Sequence, residues 1–504
     1  MSPAWHHPIF SCAAARDFEA RRFGGDEAKE WPAMLRAGRA IAAAVRRDFL
    51  ETGPWPLAPR LLVLVGKGHN GGDALIAARA LLEETPGATA EVVFVFGERA
   101  LRPLAARAAR ELREAAGGRV TVVGEPRGGA DVALDGVFGF QFRPPAEPRV
   151  AALLAAVTAL PVRLRAAVDL PSAGLFRADF TYATGIVKAP VVGAAEAGRV
   201  RYLDLGFFDG PKREGEDEGE RENERESAAA AERVLLPEVL APLAALRPAR
   251  SDKRTFGHVV IVAGSRAFPG AALLAVRAAL RSGAGLVTAC VPESVAAAFA
   301  AQAPEAMWTA WPETPGGGLA LEGEHLLREK WARADAVLLG PGLGRDPETL
   351  ALARSVAAAS PVPLVIDADA LQPEIVAAGT APRVLTPHAG EWARIAAAVP
   401  GATADTVVVR KGPVTRIEHG GRAYHSFFGG PVLARGGSGD VLAGLCGGLL
   451  AQTPAEPLAA AARAAVWHGR AADLLARARG QTAVTVLDLL EFLPAALRST
   501  DDER

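Results

Sequence analysis

The sequence predicts an α/β protein built from two parallel-sheet bodies in tandem, and three observations carry that prediction. Runs of Val, Ile and Leu bounded by Gly or Pro recur along the chain, as buried parallel strands require. Ala/Leu/Arg stretches of helical spacing alternate with them, the pattern of strands joined by crossover helices. Between the two halves, residues 211–233 read PKREGEDEGERENERESAAAAER. That segment has no branched aliphatic or aromatic side chains to offset its ordering entropy, so it is expected to be a solvated linker or an exposed single helix. The expected organisation is a body over residues 10–210, a linker over 211–233 and a second body over 234–500.

In the front half RLLVLVG is the first strand and runs into the helix DALIAARALLEE; the strands AEVVFVFG, RVTVVG, DVALDGVFG, VRLRAAVDLP and GRVRYLDLG follow. In the rear half the strands are HVVIVAG, GLVTACVP, AVLLGPG, PLVIDADA, RVLTPH and TVVVRKG, mostly separated by helical stretches. Ligands of open α/β sheets sit beyond the carboxyl ends of the strands, and nearly every unusual motif of this chain falls at such an end.

Bulk properties exclude several classes. At 504 residues the chain is too long for one ordinary core. A hydrophobic share of 50% with 22% charged residues is that of a soluble globular protein. A net charge of −1 gives no electrostatic reason to expect nucleic acid or an anionic membrane as partner. Cys12, Cys290 and Cys446 are far apart, which suggests neither a disulfide framework nor a zinc site. The start MSPAWHHPIF lacks a basic region followed by an apolar one, and no apolar run reaches membrane-spanning length. A cytoplasmic enzyme is expected.

The most informative stretch is LARGGSGDVLAGLCGGLL, residues 433–450. Glycines 436, 437 and 439 leave the backbone bare, and successive N–H groups at a helix entry form an anion nest. Asp440 in such a nest makes sense as a base toward a hydroxyl, with the amides holding the phosphoryl group that hydroxyl attacks. The plainer alternative is a glycine-rich helix entry with Asp440 as its cap.

Four further strand-end motifs precede it. GPGLG (340–344) is expected to let a ligand approach the backbone, and DADAL (367–371) supplies two carboxylates, of which Asp367 could instead cap a helix. TPHAGE (386–391) offers His388 and Glu391, with the plainer alternative that the histidine only satisfies a loop carbonyl. KGPVT provides the cation Lys411, the bare Gly412 with Pro413 and Val414, and the hydroxyl of Thr415, a set suited to phosphates.

In the front half Gly66, Gly68 and Gly71 satisfy G-x-G-x-x-G between a strand and a helix, the mark of a Rossmann-like nucleotide fold. The lysine follows the first glycine and no Ser/Thr comes after it, so this is not a Walker loop. An acidic residue after the next strand comes only near Glu98, later than the usual ribose ligand. Lys188 reads either as a cation that orients phosphate or as a solvated strand-end charge.

The order of motifs in the rear half resembles the ribokinase-like superfamily, specifically the ADP- or ATP-dependent NAD(P)H-hydrate dehydratases. The likeness starts at RPARSDKRTFGHVVIVAGSRAFPGA, continues through APEAM, GPGLG, IDADAL, TPHAGE, KGPVT and GGSGDVLAG, and covers nearly all of residues 247–493. It implies that a hydrated NADH or NADPH is phosphorylated on its hydroxyl and eliminates phosphate to restore the reduced nucleotide. By the same pattern Asp440 is the base, Gly437 and Gly439 hold the transferred group, and Lys411, Gly412, Pro413, Val414 and Thr415 bind the nucleotide that becomes AMP. Ala271, Gly342 and His388 line the hydrate pocket, and Mg2+ neutralises the phosphates. One departure stands out: only AAAVPGATAD separates TPHAGEWARI from TVVVRKG, where the family has a longer helical segment.

The front half resembles the NAD(P)H-hydrate epimerases, often fused ahead of the dehydratase. GKGHNGGD matches G-x-G-N-N-G-G-D, WPAMLRAGRAIAAAVR a Met-x-x-Ala-Gly helix, and AVDLPSAGL an Asp-Ile-Pro-Ser-Gly-Leu motif, over roughly residues 10–209. The resemblance implies a K+ site from Asn70, Asp135 and Ser172. It places His69, Asn70, Gly71, Gly72, Asp73, Gly139, Arg143 and Asp169 against the hydrate, with Asp169 shuttling the proton. Here too there are departures: His69 replaces Asn, FGFQF replaces Phe-Gly-Thr-Gly-Leu, and the Asp/Thr/Gly-rich loop after DLPSAGLF is largely missing. The resemblance implies a homo-oligomer acting on NADH or NADPH hydrates and ADP. GGSGD on its own leaves open a ribokinase-like kinase for a vitamin precursor or sugar, with the front half as a non-catalytic assembly or binding module.

Overall fold

A computed structural model describes residues 5–208, 218–399 and 405–498. The chain divides into two compact units, one made mainly of residues 7–234 and the other of residues 235–475 and 482–499.

The front unit is built on seven parallel strands: β1 (Arg60–Val65), β2 (Thr89–Phe94), β3 (Val120–Val122), β4 (Ala130–Gly136), β5 (Val162–Val168), β6 (Phe180–Thr184) and β7 (Arg199–Leu203). Their spatial order is β3-β2-β1-β4-β5-β6-β7, so the order reverses between β1 and β4, where a doubly wound sheet opens its crevice. Helices α1 (Cys12–Phe23), α2 (Glu27–Phe49) and α3 (His69–Glu84) belong to this unit. Ile41, Val45 and Phe49 of α2 pack with Leu75, Ile76, Leu81 and Leu82 of α3 over Leu61, Val63 and Val65 of β1. The side chains of β1 facing the other way, Leu62 and Leu64, join Val150, Leu154 and Val157 in a second core. Cores on both faces of the sheet make the three layers expected of a Rossmann-like domain.

The glycines of the first turn answer to packing. A Cβ on Gly66 would overlap the Val137 carbonyl oxygen, and one on Gly71 the Gly66 carbonyl oxygen. The motif therefore seats α3 directly on the end of β1 and against the start of the segment after β4.

Of the charged segment, residues 211–217 lie outside the described residues, while Glu218–Ala229 form helix α4. α4 is held to α1 by Arg21, which donates to Asn223 Oδ1 at 2.6 Å and also pairs with Glu226. Part of the expected linker is thus a docked helix. Asn223 and Glu226 of the segment supply the docking contacts.

In the rear unit the strands are β8 (His258–Val262), β9 (Leu286–Pro292), β10 (Met307–Trp311), β11 (Ala336–Leu339), β12 (Leu364–Ile366), β13 (Arg383–Leu385), β14 (Thr406–Arg410), β15 (Thr415–His419) and β16 (Arg422–Ser426). Their order is β10-β9-β8-β11-β12-β13-β14-β15-β16, parallel as far as β14 and antiparallel across the β14–β15–β16 meander. Helix α5 (Pro269–Arg281) packs against α7 (Ser438–Gln452), and the contact is close because α7 carries glycines there. A Cβ on Gly444 would overlap the Ala275 carbonyl oxygen. Helix α6 (Ala389–Ile395) follows β13, and α8 (Pro457–Arg479) follows α7. Among the described residues no helix is long and apolar enough to cross a membrane.

Candidate functional site

The ends of β12, β13 and β14 lie side by side in register, and this brings their following residues together. Asp367 follows β12 and is buried. Its Oδ1 accepts the Thr386 hydroxyl at 2.7 Å and the Lys411 ammonium at 2.8 Å. It makes no capping bond to the short helix after it, so its carboxylate serves Lys411 and Thr386. Thr386 and His388 follow β13; Lys411 follows β14, and its N–H donates to the Pro387 carbonyl at 2.8 Å.

His388 caps α6. Its Nδ1 accepts the N–H groups of Gly390 and Glu391 at 3.0 and 3.3 Å, while Glu391 Oε2 accepts the His388 N–H at 2.8 Å, a reciprocal capping box. With Nδ1 accepting, the proton sits on Nε2, 3.3 Å from Glu391 Oε1. The imidazole is 60% exposed, so capping leaves the ring edge open to a ligand. Glu391 Oε2 also stands 3.9 Å from Lys411 Nζ.

Helix α7 starts at Ser438 with Gly437 as its N-cap in the left-handed region, φ 94°, a conformation that favours glycine. Asp440 is in the first turn and is not the cap, which settles the alternative raised by the sequence. Its surroundings disfavour the ionised carboxylate. Burial and the nearby Asp367 carboxylate push Asp440 up to about 7, against the pull of Lys411. Burial works against the Lys411 ammonium too, yet Asp367, Glu391 and Asp440 raise it above the ordinary lysine value. A Cβ on Gly439 would stand 3.4 Å from Lys411 Nζ, so the ammonium lies over the bare turn. A cation, first-turn N–H groups and a carboxylate poised near neutrality can bind an anion and take a proton beside it.

Ala271 and Gly342 adjoin each other. A Cβ on Gly342 would lie 2.8 Å from that of Ala271 and 2.5 Å from the Phe268 carbonyl oxygen, and Ser265 Oγ donates to the Gly342 carbonyl at 2.8 Å. At Gly340 a Cβ would overlap the Asp367 carbonyl oxygen. The glycines of GPGLG thus also let neighbouring loops close on each other. Gly412, Pro413 and Val414 form the turn from β14 into β15, where Thr415 pairs with Ser426 of β16. The motif reading missed His468 of α8, which is buried, bonds the Ser438 backbone and is pushed down to about 4 by burial. It supports the glycine turn as a neutral ring. No spacing rule marks a histidine that reaches the turn from a different helix.

In the front unit a cavity of about 630 Å³ opens at the carboxyl ends of β1, β4 and β5. His69, Asn70, Gly71, Asp73, Gly139 and Asp169 line it. Gly72 lies under Met34, whose Cε a Cβ there would overlap, and Arg143 is exposed outside the lining. Asp169 has φ 67°, unusual for a residue other than glycine and a strain that tends to mark working sites. Lys188 Nζ donates to its Oδ1 at 2.8 Å. Lys188 is only 3% exposed, so it is not a solvated charge but the partner of Asp169. Burial pushes Asp169 up in spite of that ammonium. Asp73 is also buried, with Oδ1 unpartnered, and burial with the Asp169 charge pushes it well above the ordinary carboxylate range.

Behind this wall Asp135 is fully buried, accepting the Ser172 hydroxyl at 2.6 Å, the Ser172 N–H at 2.8 Å and the Val137 N–H at 3.2 Å. Asn70 Nδ2 donates to the carbonyls of Val168 and Phe138 at 2.9 and 3.3 Å. A Cβ on Gly139 would stand 2.7 Å from Asn70 Oδ1, which explains the glycine. The aromatics of FGFQF do not fill the cavity. Phe138 and Phe142 pack in a tilted pair with centroids 4.1 Å apart, and Phe140 lies 5.1 Å from Lys188 Nζ as a cation–π partner.

The fold and these two sites define a two-domain α/β enzyme of nucleotide chemistry. Residues 259–495 match the model of the NAD(P)H-hydrate dehydratase family, and residues 32–193 that of the YjeF-related protein N-terminus. The bifunctional NAD(P)H-hydrate repair enzyme Nnr of Gloeobacter violaceus is 39% identical over 97% of this chain and 98% of its own. That of Moorella thermoacetica is 35% identical over 93% of each. Among solved structures, the ADP/ATP-dependent NAD(P)H-hydrate dehydratase of Bacillus subtilis, co-crystallised with ATP/Mg2+, is 29% identical over 52% of this chain and 95% of that one, with a TM-score of 0.44. The chain belongs to the family of bifunctional NAD(P)H-hydrate repair enzymes.

Proposed function

We propose that the rear site dehydrates the S form of NADH or NADPH hydrate at the expense of ADP or ATP, and that the front site interconverts the R and S hydrates. The observation that carries the rear reading is Asp440: a half-buried carboxylate, poised near neutrality, in the first turn of a helix entered by bare glycines and beside Lys411. The hydrate's hydroxyl on a saturated carbon is a poor leaving group. Asp440 takes its proton as the oxygen attacks the terminal phosphorus of the donor, the bond from that phosphorus to the bridging oxygen breaks, and ADP leaves as AMP (or ATP as ADP). The phosphate ester then departs as inorganic phosphate with loss of a ring proton, which restores the reduced ring.

Lys411 and the N–H groups of the N-cap Gly437 and the first-turn Gly439 hold the migrating phosphoryl group, and Gly412, Pro413, Val414 and Thr415 cradle the nucleotide. Magnesium suits this site because it binds mainly through phosphates and water, and the described residues hold no His, Cys, Asp or Glu group that would cage it by itself. Bound there, it would neutralise phosphate charge. Ala271, Gly342 and His388 bound the hydrate.

In the front site Asp169, held by Lys188, is the proton-shuttling carboxylate. Potassium suits the cluster behind it: Asp135 is fully buried with only hydroxyl and N–H partners, and burial pushes it up to about 6. An alkali cation among Asp135, Ser172 and Asn70 would offset that burial with hard oxygen ligands.

Incubating purified protein with NADH hydrate and ADP or ATP tests the reading, with the reduced-nucleotide absorbance as readout. Recovery of that absorbance with release of phosphate supports it. A stable phosphorylated product with no elimination would identify a small-molecule kinase instead.

A further inference from the structure

Helix α1 lies ahead of the residues that match the front family, which begin at residue 32, yet it supplies part of the front cavity. Ala15 and Phe18 bury its inner face, and Glu19 on that side lines the same cavity as Asp73, Asp169 and Lys188. Lys188 Nζ stands 2.8 Å from Asp169 Oδ1 and 3.8 Å from Glu19 Oε1. One buried ammonium therefore serves two carboxylates that reach it from opposite ends of the front sequence.

We propose that Glu19 is a positioning residue of the epimerisation site: by sharing Lys188 with Asp169, its charge sets how strongly the ammonium holds Asp169 and so how basic Asp169 is. This rests on the reading of the front cavity as that site. With Glu19 neutral, the ammonium charge is directed at Asp169 and keeps it a weaker base. With Glu19 ionised, part of that charge is answered elsewhere and Asp169 takes a proton more readily. Burial, with Asp169 and Glu30 as like charges, pushes Glu19 up to about 7 against the pull of Lys188, so the change falls near neutral pH. The other charged groups around it are accounted for. From α2, Glu30 is 3.2 Å from His69 of α3. Asp73 of α3 is held well above the carboxylate range. On α1 itself Arg16 pairs with Asp17, and burial pushes the Cys12 thiol up. On α4, Glu226 pairs with Arg21. Lys188 is the cation that bonds Asp169 and also lies within 4 Å of Glu19.

The test follows the rate of equilibration of separated NADH-hydrate epimers from pH 5.5 to 8.5, with the full chain and the spontaneous rate subtracted. For the unaltered protein, epimerisation should step up through about pH 7. Glu19→Gln should keep the low-pH rate and lose the step, leaving kcat several-fold lower at pH 8 with little change in KM. Glu19→Asp should restore part of it. An unchanged calorimetric midpoint for the front unit reports that the variants are folded. A purely structural role would lower the rate at every pH, and that result, or an unaltered profile in Glu19→Gln, would overturn the proposal. If the unaltered protein does not epimerise at all, the reading of the front cavity fails and the proposal fails with it.

Discussion

Lys411 donates to Asp367 at 2.8 Å, and together with burial, the larger cause, this pair determines where Asp440 takes up its proton. The ammonium that would otherwise hold Asp440 as an ordinary ionised carboxylate is tied to a second carboxylate, whose charge works in the opposite direction. Asp440 is left at about 7, within reach of a proton at physiological pH. A base needs that balance: a carboxylate wholly satisfied by a cation would be too weak to accept a hydroxyl proton.

Dehydration should therefore depend on pH through Asp440. The base must be ionised to act, so kcat should fall as pH drops through about 7 and level off above it. Asp440→Asn should lower kcat by roughly 10²- to 10⁴-fold, the usual worth of a positioned general base, while ADP still binds by calorimetry. Loss of ADP binding together with activity would make Asp440 a structural residue.

Asp367→Asn removes the like charge and releases Lys411 toward Asp440. Both effects lower the Asp440 pKa, so the acid limb of the dehydration profile should move down by roughly one pH unit or more. Lys411→Met should do the reverse, moving the limb up and weakening ADP binding. A limb that stays put in both variants would mean that another group controls the profile.

Gly340→Ala should destabilise the rear unit, because φ is 129° and the added methyl would overlap the Asp367 carbonyl. Strain and overpacking together should cost about 2 kcal/mol or more, read as a lower midpoint for one calorimetric transition. Gly436→Ala, where a Cβ meets nothing within 4 Å, is the control and should leave that midpoint in place.

Much of this architecture is legible in the sequence because buried parallel strands announce themselves. RLLVLVG, HVVIVAG and AVLLGPG each become a central strand that ends in a glycine turn. The place of Asp440 is also legible, since glycines followed by a carboxylate and an apolar run form a local pattern. Pairings made at long range are not. Nothing near Lys188 in sequence announces Asp169 or Glu19, and nothing near Ser438 announces His468; the packing of helices on the sheets brings them together. The charged segment misleads for a related reason. Its composition excludes a buried core but not a helix docked through Arg21. Nor does the sequence show that Gly340 and Gly342 are also packed against the Asp367 and Phe268 carbonyls.

The two chemistries should separate by mutation. Asp169 and Lys188 are both buried, and each is the other's nearest charge. Asp169→Asn keeps shape and hydrogen bonding but removes the proton acceptor, so epimerisation should fall by roughly 10²-fold or more. Dehydration of the S hydrate, carried by Asp440, should continue at its usual rate. Lys188→Met leaves Asp169 buried without a cation, which raises its pKa further and favours the protonated form, so epimerisation should be lost at neutral pH and return partly as pH rises. Supplying a racemised hydrate separates the outcomes. The Asp169→Asn protein should consume the S form at full rate and then stall to the slow spontaneous conversion, whereas the unaltered protein should run to completion. Completion at full rate by the variant would remove Asp169 from the chemistry.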